Sequence, residues 1–265
     1  MTSRFDLAAA TFGRHRALPL GVPDAIRQAI WRATPARSPT RVLDLGAGTG
    51  RIGRAFVDAD DAYVGVDVSL AMLREFRADS RTARLVQASG QQLPLRDGAF
   101  DVVLLMQVLS GADDWHGLAG EARRVVAPAG AIVVGHTNGP SSGVEAQMRR
   151  QLAAILEDLG IASHQPRQSR QQSLAWLESA SARRVHVIAA SWNAEPTPRA
   201  FLDRHRTGAR FSALPAAAQD IALQTLSAWA QDTFGSLDTA TAEEYRFELD
   251  LFEINSPHTP HVTAD

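Results

Sequence analysis

Three glycines and two aspartates lie close together in the first quarter of the chain, in an arrangement that could hold a ribose. The apolar run 42–45 contains Asp44 and leads into the glycine-rich segment 46–50, and a helical pattern follows directly. A second apolar run, 63–66, ends in Asp67. Closely spaced glycines permit a tight turn and a close approach of the backbone to a ligand, and a carboxylate after the second strand can accept from both ribose hydroxyls. We therefore predict a nucleoside-binding site made of strand, glycine loop, helix, strand and acid.

Two kinds of nucleoside cofactor have to be compared. Residues 48–53 also fit the G-x-G-x-x-G pattern of dinucleotide-binding enzymes, which is a weak signal by itself. Asp44 lies at the mouth of the first strand, where a carboxylate would repel a pyrophosphate but would suit a ligand that carries an ammonium and a sulfonium. Asp67 also follows the last glycine more closely than the roughly 20 residues expected of the dinucleotide fingerprint. S-adenosylmethionine (SAM) therefore fits better than NAD.

These residues resemble the class I SAM-dependent methyltransferases. The segment 44–50 with Asp67 matches the family's cofactor motif, 87–95 its adenine-binding turn and 100–106 its fourth strand. Segment 121–134 is similar to the helix, Pro-Gly turn and fifth strand of the small-molecule subgroup called type 11, so the resemblance covers roughly residues 40 to 136. Ser89 departs from the pattern, because the family usually has an acid there that accepts from the adenine amino group.

The resemblance implies a set of cofactor-binding residues. Arg16 belongs to a segment, 11–16, that is similar to the arm with which related enzymes cover the cofactor carboxylate, and a guanidinium would suit that group. Met106 ends the fourth strand and is equally compatible with a core role. The expected SAM ligands are Arg16, Asp44, Gly46, Ala47, Gly48, Gly50, Asp67, Val68, Ser89, Gly90, Met106 and Gln107.

Composition excludes several kinds of chemistry. All 27 basic residues are arginine and there is no cysteine, so Schiff-base formation, disulfides and thiolate metal sites are excluded. The net charge of -2 gives no reason to expect a nucleic-acid partner. We find no secretory leader pattern and no apolar run of about 18 residues, so we expect a cytoplasmic protein without a membrane span.

The periodicity predicts an α/β fold: a doubly wound, mostly parallel, seven-stranded sheet of the Rossmann-like methyltransferase kind, with an antiparallel last strand and a helical cap. We expect four parts in the chain. Residues 1–39 form an N-terminal arm and helix that covers the cofactor, and 40–194 with 241–254 form the SAM-binding core. A helical insertion, 195–240, acts as a lid, with a dimer contact as the alternative, and the tail 255–265 is disordered.

Candidate residues for the chemistry lie beyond the glycine loop. His136 follows the fifth strand, where an imidazole could take a proton from a hydroxyl or amine. Residues in or beside the insertion could shape an acceptor site, and the candidates are Trp192, Arg206, Arg210 and Phe211. Adjacent acids at 113 and 114 are typical of helix capping, so we assign no metal.

The sequence favours a SAM-dependent methyltransferase that transfers a methyl group to an O or N atom of a small molecule and releases S-adenosylhomocysteine (SAH). Two alternatives stay open: a SAM- or SAH-binding protein without catalysis, or one that supports a partner, and a nucleic-acid methyltransferase. The end of the fourth strand, 106–109, lacks the Asn/Asp-Pro-Pro-aromatic turn that holds a flipped base, which disfavours nucleic acid. We expect a monomer or a homodimer.

Overall fold

The computed structural model describes residues 6, 16–34, 40–109, 112, 114–161, 166–206, 211 and 214–255. Within these residues the chain alternates between strands and helices over its first half and adds helices in its second half. The strands are β1 (Arg41–Leu45), β2 (Ala62–Asp67), β3 (Arg84–Gln87), β4 (Phe100–Met106), β5 (Val126–Asn138), β6 (Arg183–Ala194) and β7 (Glu243–Glu253). The helices are α1 (Val22–Ala33), α2 (Gly53–Asp58), α3 (Leu70–Asp79), α4 (Trp115–Val125), α5 (Val144–Asp158), α6 (Pro166–Ser179), α7 (Pro198–Arg206) and α8 (Ala216–Phe234).

The seven strands form one sheet in the order β3-β2-β1-β4-β5-β7-β6. The first five pair in parallel, while β7 runs antiparallel to both β5 and β6. The predicted seven-stranded sheet with an antiparallel last strand is confirmed. The chain leaves the centre of the sheet in one direction after β1 and in the other after β4, so the carboxyl ends of these two strands flank the point where ligands bind in such sheets.

Both faces of the central strands are buried, as a parallel sheet requires. All seven residues of β4 are buried. Alternate residues serve opposite faces: one core contains Val42, Leu104 and Val133, and the other contains their neighbours Leu43, Val103 and Ile132. This packing fixes the register of the strands and therefore the height at which each loop leaves the sheet.

Two helices begin at the side chains that their sequence predicts. Ser69 caps α3, since its hydroxyl accepts from the backbone N of Met72 at 3.2 Å. Asp114 caps α4, since its carboxylate accepts from the backbone N of Gly117 at 3.0 Å. Both contacts satisfy N–H groups that the first helical turn leaves without partners. The capping interpretation of Asp114 is thus confirmed, while its neighbour at 113 lies outside the described residues.

The three helices α5, α7 and α8 form a helical cap with an apolar core of its own. Leu152 of α5, Phe201 of α7 and Leu226 of α8 are buried in one cluster, separate from the two clusters that flank the sheet. The insertion predicted between the last two strands therefore packs on the helix that follows β5. The described part of the chain includes no helix that is both long enough and apolar enough to cross a membrane.

Candidate active site

The glycine loop between β1 and α2 has the backbone that the motif predicts. Gly46, Gly48 and Gly50 all have positive φ, at 81°, 55° and 78°. Residues with a side chain rarely adopt this conformation, so the spacing of the glycines follows from the shape of the turn. Gly46 and Gly50 also lack room: a Cβ at Gly46 would lie 2.9 Å from the Cγ2 of Val108, and one at Gly50 would collide with the ring of Phe76.

Gly48 differs from its two neighbours in facing open space. A Cβ added there would meet nothing closer than the carbonyl oxygen of Gly46 at 3.9 Å. The backbone N of Gly48 donates to the Oδ2 of Asp67 at 2.9 Å. Gly48 therefore borders an open cradle beside the Asp67 carboxylate, which is the arrangement expected of a loop that lets a ligand approach the backbone.

Asp67, at the end of β2, is held in place through the backbone. Its Oδ1 accepts from the backbone N of Ser69 at 2.8 Å, in addition to the bond from Gly48 to its other oxygen. Burial raises the pKa of Asp67, while these backbone N–H groups oppose the shift. A carboxylate accepts about four hydrogen bonds, and the backbone N–H groups of Gly48, Ser69 and Val68 supply three, so Asp67 can still accept from a further donor.

Asp44 lies in β1 and is 2% exposed. Its Oδ2 accepts from the hydroxyl of Tyr63 at 2.8 Å, and its Oδ1 has no hydrogen-bond partner among the described residues. Burial raises the pKa of Asp44 to about 7, the Tyr63 hydroxyl opposes this and nearby Asp67 adds to it. A buried carboxylate oxygen without a donor costs free energy unless a ligand supplies one. Asp44 can thus accept a cationic group that enters beside the glycine loop.

Arg51 is a site residue that sequence reasoning missed. Its guanidinium donates from Nη1 to the backbone carbonyl of Arg16 and from Nη2 to the Oε1 of Gln107. Both partners are neutral oxygens, and no acid of the described chain pairs with Arg51. Burial lowers the pKa of Arg51 to about 10, and the charge of Arg16 adds to the shift. Arg51 therefore places a partly desolvated positive charge just before α2, next to the glycine loop.

Gln107 links this arginine to the end of the sheet. It follows β4 with a φ of 58°, an unusual value for a residue with a side chain. Its Nε2 donates to the hydroxyl of Thr137 at 2.7 Å, near the end of β5. Met106, just before it, is 8% exposed and belongs to a core cluster. The end of β4 thus presents Gln107 towards the site, whereas Met106 packs inside.

Arg16 enters the site through its backbone. Its carbonyl accepts from Arg51, while its half-buried guanidinium interacts electrostatically with Arg204, Glu145 and Arg149 of the helical cap. Burial lowers the pKa of Arg16, and the two cap arginines add to that shift. The structure therefore directs the Arg16 side chain towards the cap and brings Arg51 to the glycine loop instead.

The remaining predicted cofactor residues surround the same end of the sheet. Ala47 is buried within the loop, Val68 is exposed directly after Asp67, and Ser89 is exposed in the turn after β3. The Ser89 hydroxyl accepts from the backbone N of Gln91 at 3.3 Å. A Cβ at Gly90 would lie 2.5 Å from the Cδ1 of Leu118, so a larger residue where this turn meets α4 requires that side chain to move.

His136 near the end of β5 has both ring nitrogens engaged. Its Nδ1 lies 2.8 Å from a nitrogen of Arg170, which can only donate, so Nδ1 accepts. Its Nε2 lies 3.2 Å from the Oε2 of Glu248, to which the ring N–H donates. Burial lowers the pKa of His136 to about 4, with the Arg170 charge as the second cause. The imidazole is therefore neutral, and its only lone pair faces an arginine.

The residues predicted to contact an acceptor do not share one site. Trp192 is partly buried and stacks on Tyr245, with ring centroids 6.1 Å apart. Phe211 is 6% exposed inside the core of the cap, so it packs there and does not line an open surface. Arg206 is exposed at the end of α7. Arg210 lies outside the described residues. Within the described ranges no group of three or more His, Asp or Glu side chains is placed to hold a metal ion.

The family model called methyltransferase domain matches residues 43–134. This range runs from β1 to β5 and includes the glycine loop, Asp67 and the turn with Ser89. The matched residues are similar to the class I SAM-dependent methyltransferase domains of the type 11 subgroup.

One relative is the demethylmenaquinone methyltransferase of Streptomyces griseus, 31% identical over 135 residues, which are 51% of this chain and 59% of the relative. The chain spans about half the length of the curated relatives that it matches.

Solved structures share the architecture at low sequence identity. The YcgJ protein of Bacillus subtilis is 19% identical and has a TM-score of 0.55, with coverage of 86% of this chain and 98% of that one. The [4+2]-cyclase SpnF is 16% identical and has a TM-score of 0.54, with coverage of 97% of this chain and 98% of that one. At these identities the likeness shows the fold alone.

Proposed function

We propose that this protein is a SAM-dependent methyltransferase that transfers a methyl group to an O or N atom of a small-molecule acceptor. The observation that carries the proposal is the open cradle at Gly48, with the Asp67 carboxylate on one side and the unsatisfied Oδ1 of Asp44 nearby. Hydroxyl groups and an ammonium group are the donors that these two carboxylates suit.

The residues present fit SAM in four respects. Gly48 leaves space for the close approach of a ligand, and Asp67 is fixed as an acceptor for ribose hydroxyls. Asp44 offers a buried oxygen to the amino group, and Arg51 offers a guanidinium to the carboxylate. This assigns to Arg51 the role that sequence resemblance gives to Arg16. Val68, Ser89 and Gly90 would border the adenine.

The protein's part in such a reaction is mainly to position the reactants and to exclude water. SAM supplies a methyl group on a positively charged sulfur, and an acceptor lone pair forms the new bond in line as the carbon–sulfur bond breaks. Gln107 and Thr137 lie at the ends of β4 and β5, beside Arg51, where an acceptor can be oriented by hydrogen bonds. Orientation of this kind lowers the barrier without a catalytic acid or base.

We infer that His136 is not the general base, because its lone pair accepts from Arg170 and burial lowers its pKa to about 4. We infer that the acceptor's proton leaves to water once the new bond has formed. His136 serves instead to hold Arg170 and Glu248 together on the β5–β7 side of the sheet.

The small-molecule class is supported by the cap and by the relatives. The cap helix α5 begins beside β7, where Glu243 accepts from the backbone N of Val144 and from the Tyr245 hydroxyl, and we propose that the cap covers the acceptor. The named substrate of the Streptomyces griseus relative, demethylmenaquinone, is also a small molecule. The competing function is SAM binding without methyl transfer, because the same fold occurs in a protein named as a cyclase.

Calorimetric titration with SAH tests the cofactor assignment, with NADH as the control ligand. We expect micromolar SAH binding and no NADH binding. Asp67→Ala should weaken SAH binding by about 1 to 3 kcal/mol through the lost ribose contacts. The matched control is Asp79→Ala, because Asp79 is an exposed acid paired with Arg54 on the surface. Equal SAH affinity in the unsubstituted protein, Asp67→Ala and Asp79→Ala would refute the site. Binding of SAH without transfer of a labelled methyl group from SAM to any acceptor would favour the competing function.

A further inference from the structure

Gln107 has a backbone conformation that is unusual for its residue type. Its φ is 58°, and the other described residues with both a side chain and a positive φ are Asp60 and Ala129. Its backbone N donates to the Gly135 carbonyl at 2.8 Å, so the chain stays paired with β5 while it turns. A left-handed conformation of this kind costs a residue with a side chain about 1 to 2 kcal/mol. Such a cost persists where the surrounding structure requires it, which is common at functional sites.

The side-chain amide of Gln107 connects two other segments of the chain. Its Oε1 accepts from the Nη2 of Arg51, just before α2, and its Nε2 donates to the Thr137 hydroxyl at 2.7 Å, near the end of β5. An arginine can only donate, so the oxygen of the amide has to face Arg51 and its nitrogen has to face Thr137. Both ends of the amide are therefore engaged, and its orientation is fixed.

The residue after Gln107 brings this turn against the glycine loop. Val108 lies so close to Gly46 that a Cβ added at that glycine would be 2.9 Å from the Val108 Cγ2. The turn at 107–108 is thus in contact with the loop at 46–50. The amide of Gln107 therefore holds Arg51 at the border of the loop that would receive the cofactor.

Arg51 depends on neutral contacts of this kind for its position. Its other described hydrogen bond runs from Nη1 to the Arg16 carbonyl, so two of the five guanidinium N–H groups are used and three remain for a ligand. An arginine side chain carries about 2 kcal/mol of rotamer entropy, so a guanidinium with one bond fewer would occupy more rotamers. A residue that keeps Arg51 in one rotamer therefore reduces the entropy lost when a ligand binds.

An amide holds the guanidinium without cancelling its charge. In the described part of the chain neither partner of Arg51 is an acid, since one is a backbone carbonyl and the other is the Gln107 amide. Burial lowers the pKa of Arg51 to about 10, so the side chain is still protonated at neutral pH. A carboxylate in place of the amide would form an ion pair with Arg51 and would compete with an anionic ligand. Gln107 thus holds a cation in place and leaves it free to bind an anion.

We propose that Gln107 is a positioning residue that sets the preference of the site for nucleosides with an amino-acid carboxylate. It acts through Arg51: the amide fixes the guanidinium for the cofactor carboxylate, and Thr137 fixes the amide. This inference rests on the proposed methyltransferase function, because it concerns the cofactor site assigned there. The property that it predicts is the ratio of the affinities for SAH and for decarboxylated SAH, which keeps the amino group and lacks only the carboxylate.

Calorimetric titration of Gln107→Glu and Gln107→Asn with both ligands tests the proposal. In Gln107→Glu the new carboxylate pairs with Arg51, so we expect SAH to bind about tenfold more weakly and decarboxylated SAH to bind at least as tightly as before. Asparagine adopts a positive φ more readily than glutamine, so Gln107→Asn should fold. Its side chain is too short to reach both Arg51 and Thr137, and we expect an affinity loss of about fivefold for SAH alone.

A double-mutant cycle separates positioning from direct contact with the ligand. If Gln107 acts through Arg51, Gln107→Asn should change SAH affinity by less than about twofold in an Arg51→Gln background, where no guanidinium remains to be held. Gln224→Glu is the matched control for the added charge, because Gln224 is exposed on α8.

Three results would overturn the inference: unchanged SAH affinity in both Gln107 variants, equal losses for SAH and decarboxylated SAH, or a loss from Gln107→Asn that persists undiminished in the Arg51→Gln background. Failure of the unsubstituted protein to bind SAH would instead refute the proposed function.

Discussion

The hydroxyl of Tyr63 donates to the Oδ2 of Asp44 at 2.8 Å, and this buried hydrogen bond joins β2 to β1 directly under the glycine loop. The Tyr63 hydroxyl also occupies the space where a side chain at Gly53 would lie. Because Gly53 has no side chain, α2 can begin close to the sheet. The same pair leaves the other oxygen of Asp44 without a described partner. One tyrosine therefore positions the loop and orients the acid that we assign to the cofactor's amino group.

Tyr63→Phe should make stability more dependent on pH. The hydroxyl lowers the pKa of Asp44, so its loss raises further a pKa that burial already brings to about 7. For an acid with a raised pKa in the folded state, ionisation costs stability as pH rises through that value. We expect a loss of about 1 to 3 kcal/mol above pH 7 and a smaller loss near pH 5. Urea unfolding at both pH values measures this, and equal losses would contradict it.

SAH affinity should increase with pH through neutrality. The ligand's ammonium group favours the ionised form of Asp44, whose pKa in the free protein is about 7, so binding releases a proton. His136 and His205, with pKa values of about 4 and 3, remain neutral over this range and do not add to the effect. Titrations between about pH 6 and 8 should show the rise. Asp44→Asn should remove it, and a flat profile for the unsubstituted protein would exclude the contact.

Gly48→Ala and Gly50→Ala form a matched pair that separates binding from folding. Both positions have positive φ, which costs a residue with a side chain about 1 to 2 kcal/mol. Only Gly50 also meets the Phe76 ring, whereas Gly48 faces open space. We expect Gly48→Ala to fold and to lose SAH binding, and Gly50→Ala to unfold at a much lower temperature. Thermal melts with and without SAH measure both effects, and a stabilising shift by SAH in Gly48→Ala would refute the cradle.

Arg51→Gln should weaken SAH binding about tenfold or more, because the guanidinium is our candidate partner for the cofactor carboxylate. Arg54→Gln is the control, since Arg54 lies three residues further along the chain, in α2, but pairs with Asp79 at the surface. A ligand without the carboxylate provides a second control. 5'-Methylthioadenosine should bind to Arg51→Gln and to Arg54→Gln with equal affinity. A loss of affinity for that ligand in Arg51→Gln would indicate a damaged loop.

Strand and helix positions could be predicted from the sequence because local signals agree with the tertiary fold. The glycines at 46, 48 and 50 are required by the turn itself, and Ser69 is both the expected and the observed cap. Arg51 could not be recognised in this way. Its role depends on Arg16 and Gln107, which lie 35 and 56 residues away in the chain, and in the sequence it is one arginine among many.

His136 also has a position that the sequence predicts and contacts that it does not predict. Its place near the end of β5 follows from the strand pattern, so the sequence predicts a position near the site. Its protonation state depends on Arg170 of α6 and Glu248 of β7, and no local pattern indicates those contacts. The position of His136 in the fold thus follows from the local sequence. The contacts and protonation state of its side chain depend on segments that are distant in the chain.

Under the proposed function, the separate apolar core of the cap allows acceptor preference to evolve without rebuilding the sheet. Leu152, Phe201 and Leu226 are buried against one another and not against the cores beside the strands. Substitutions that reshape the cap can therefore be compensated inside the cap, while the glycine loop and Asp67 remain under the constraints of cofactor binding. In protein engineering, α7 and α8 are the region to diversify when a new acceptor is sought, and the strand ends are the region to leave unchanged.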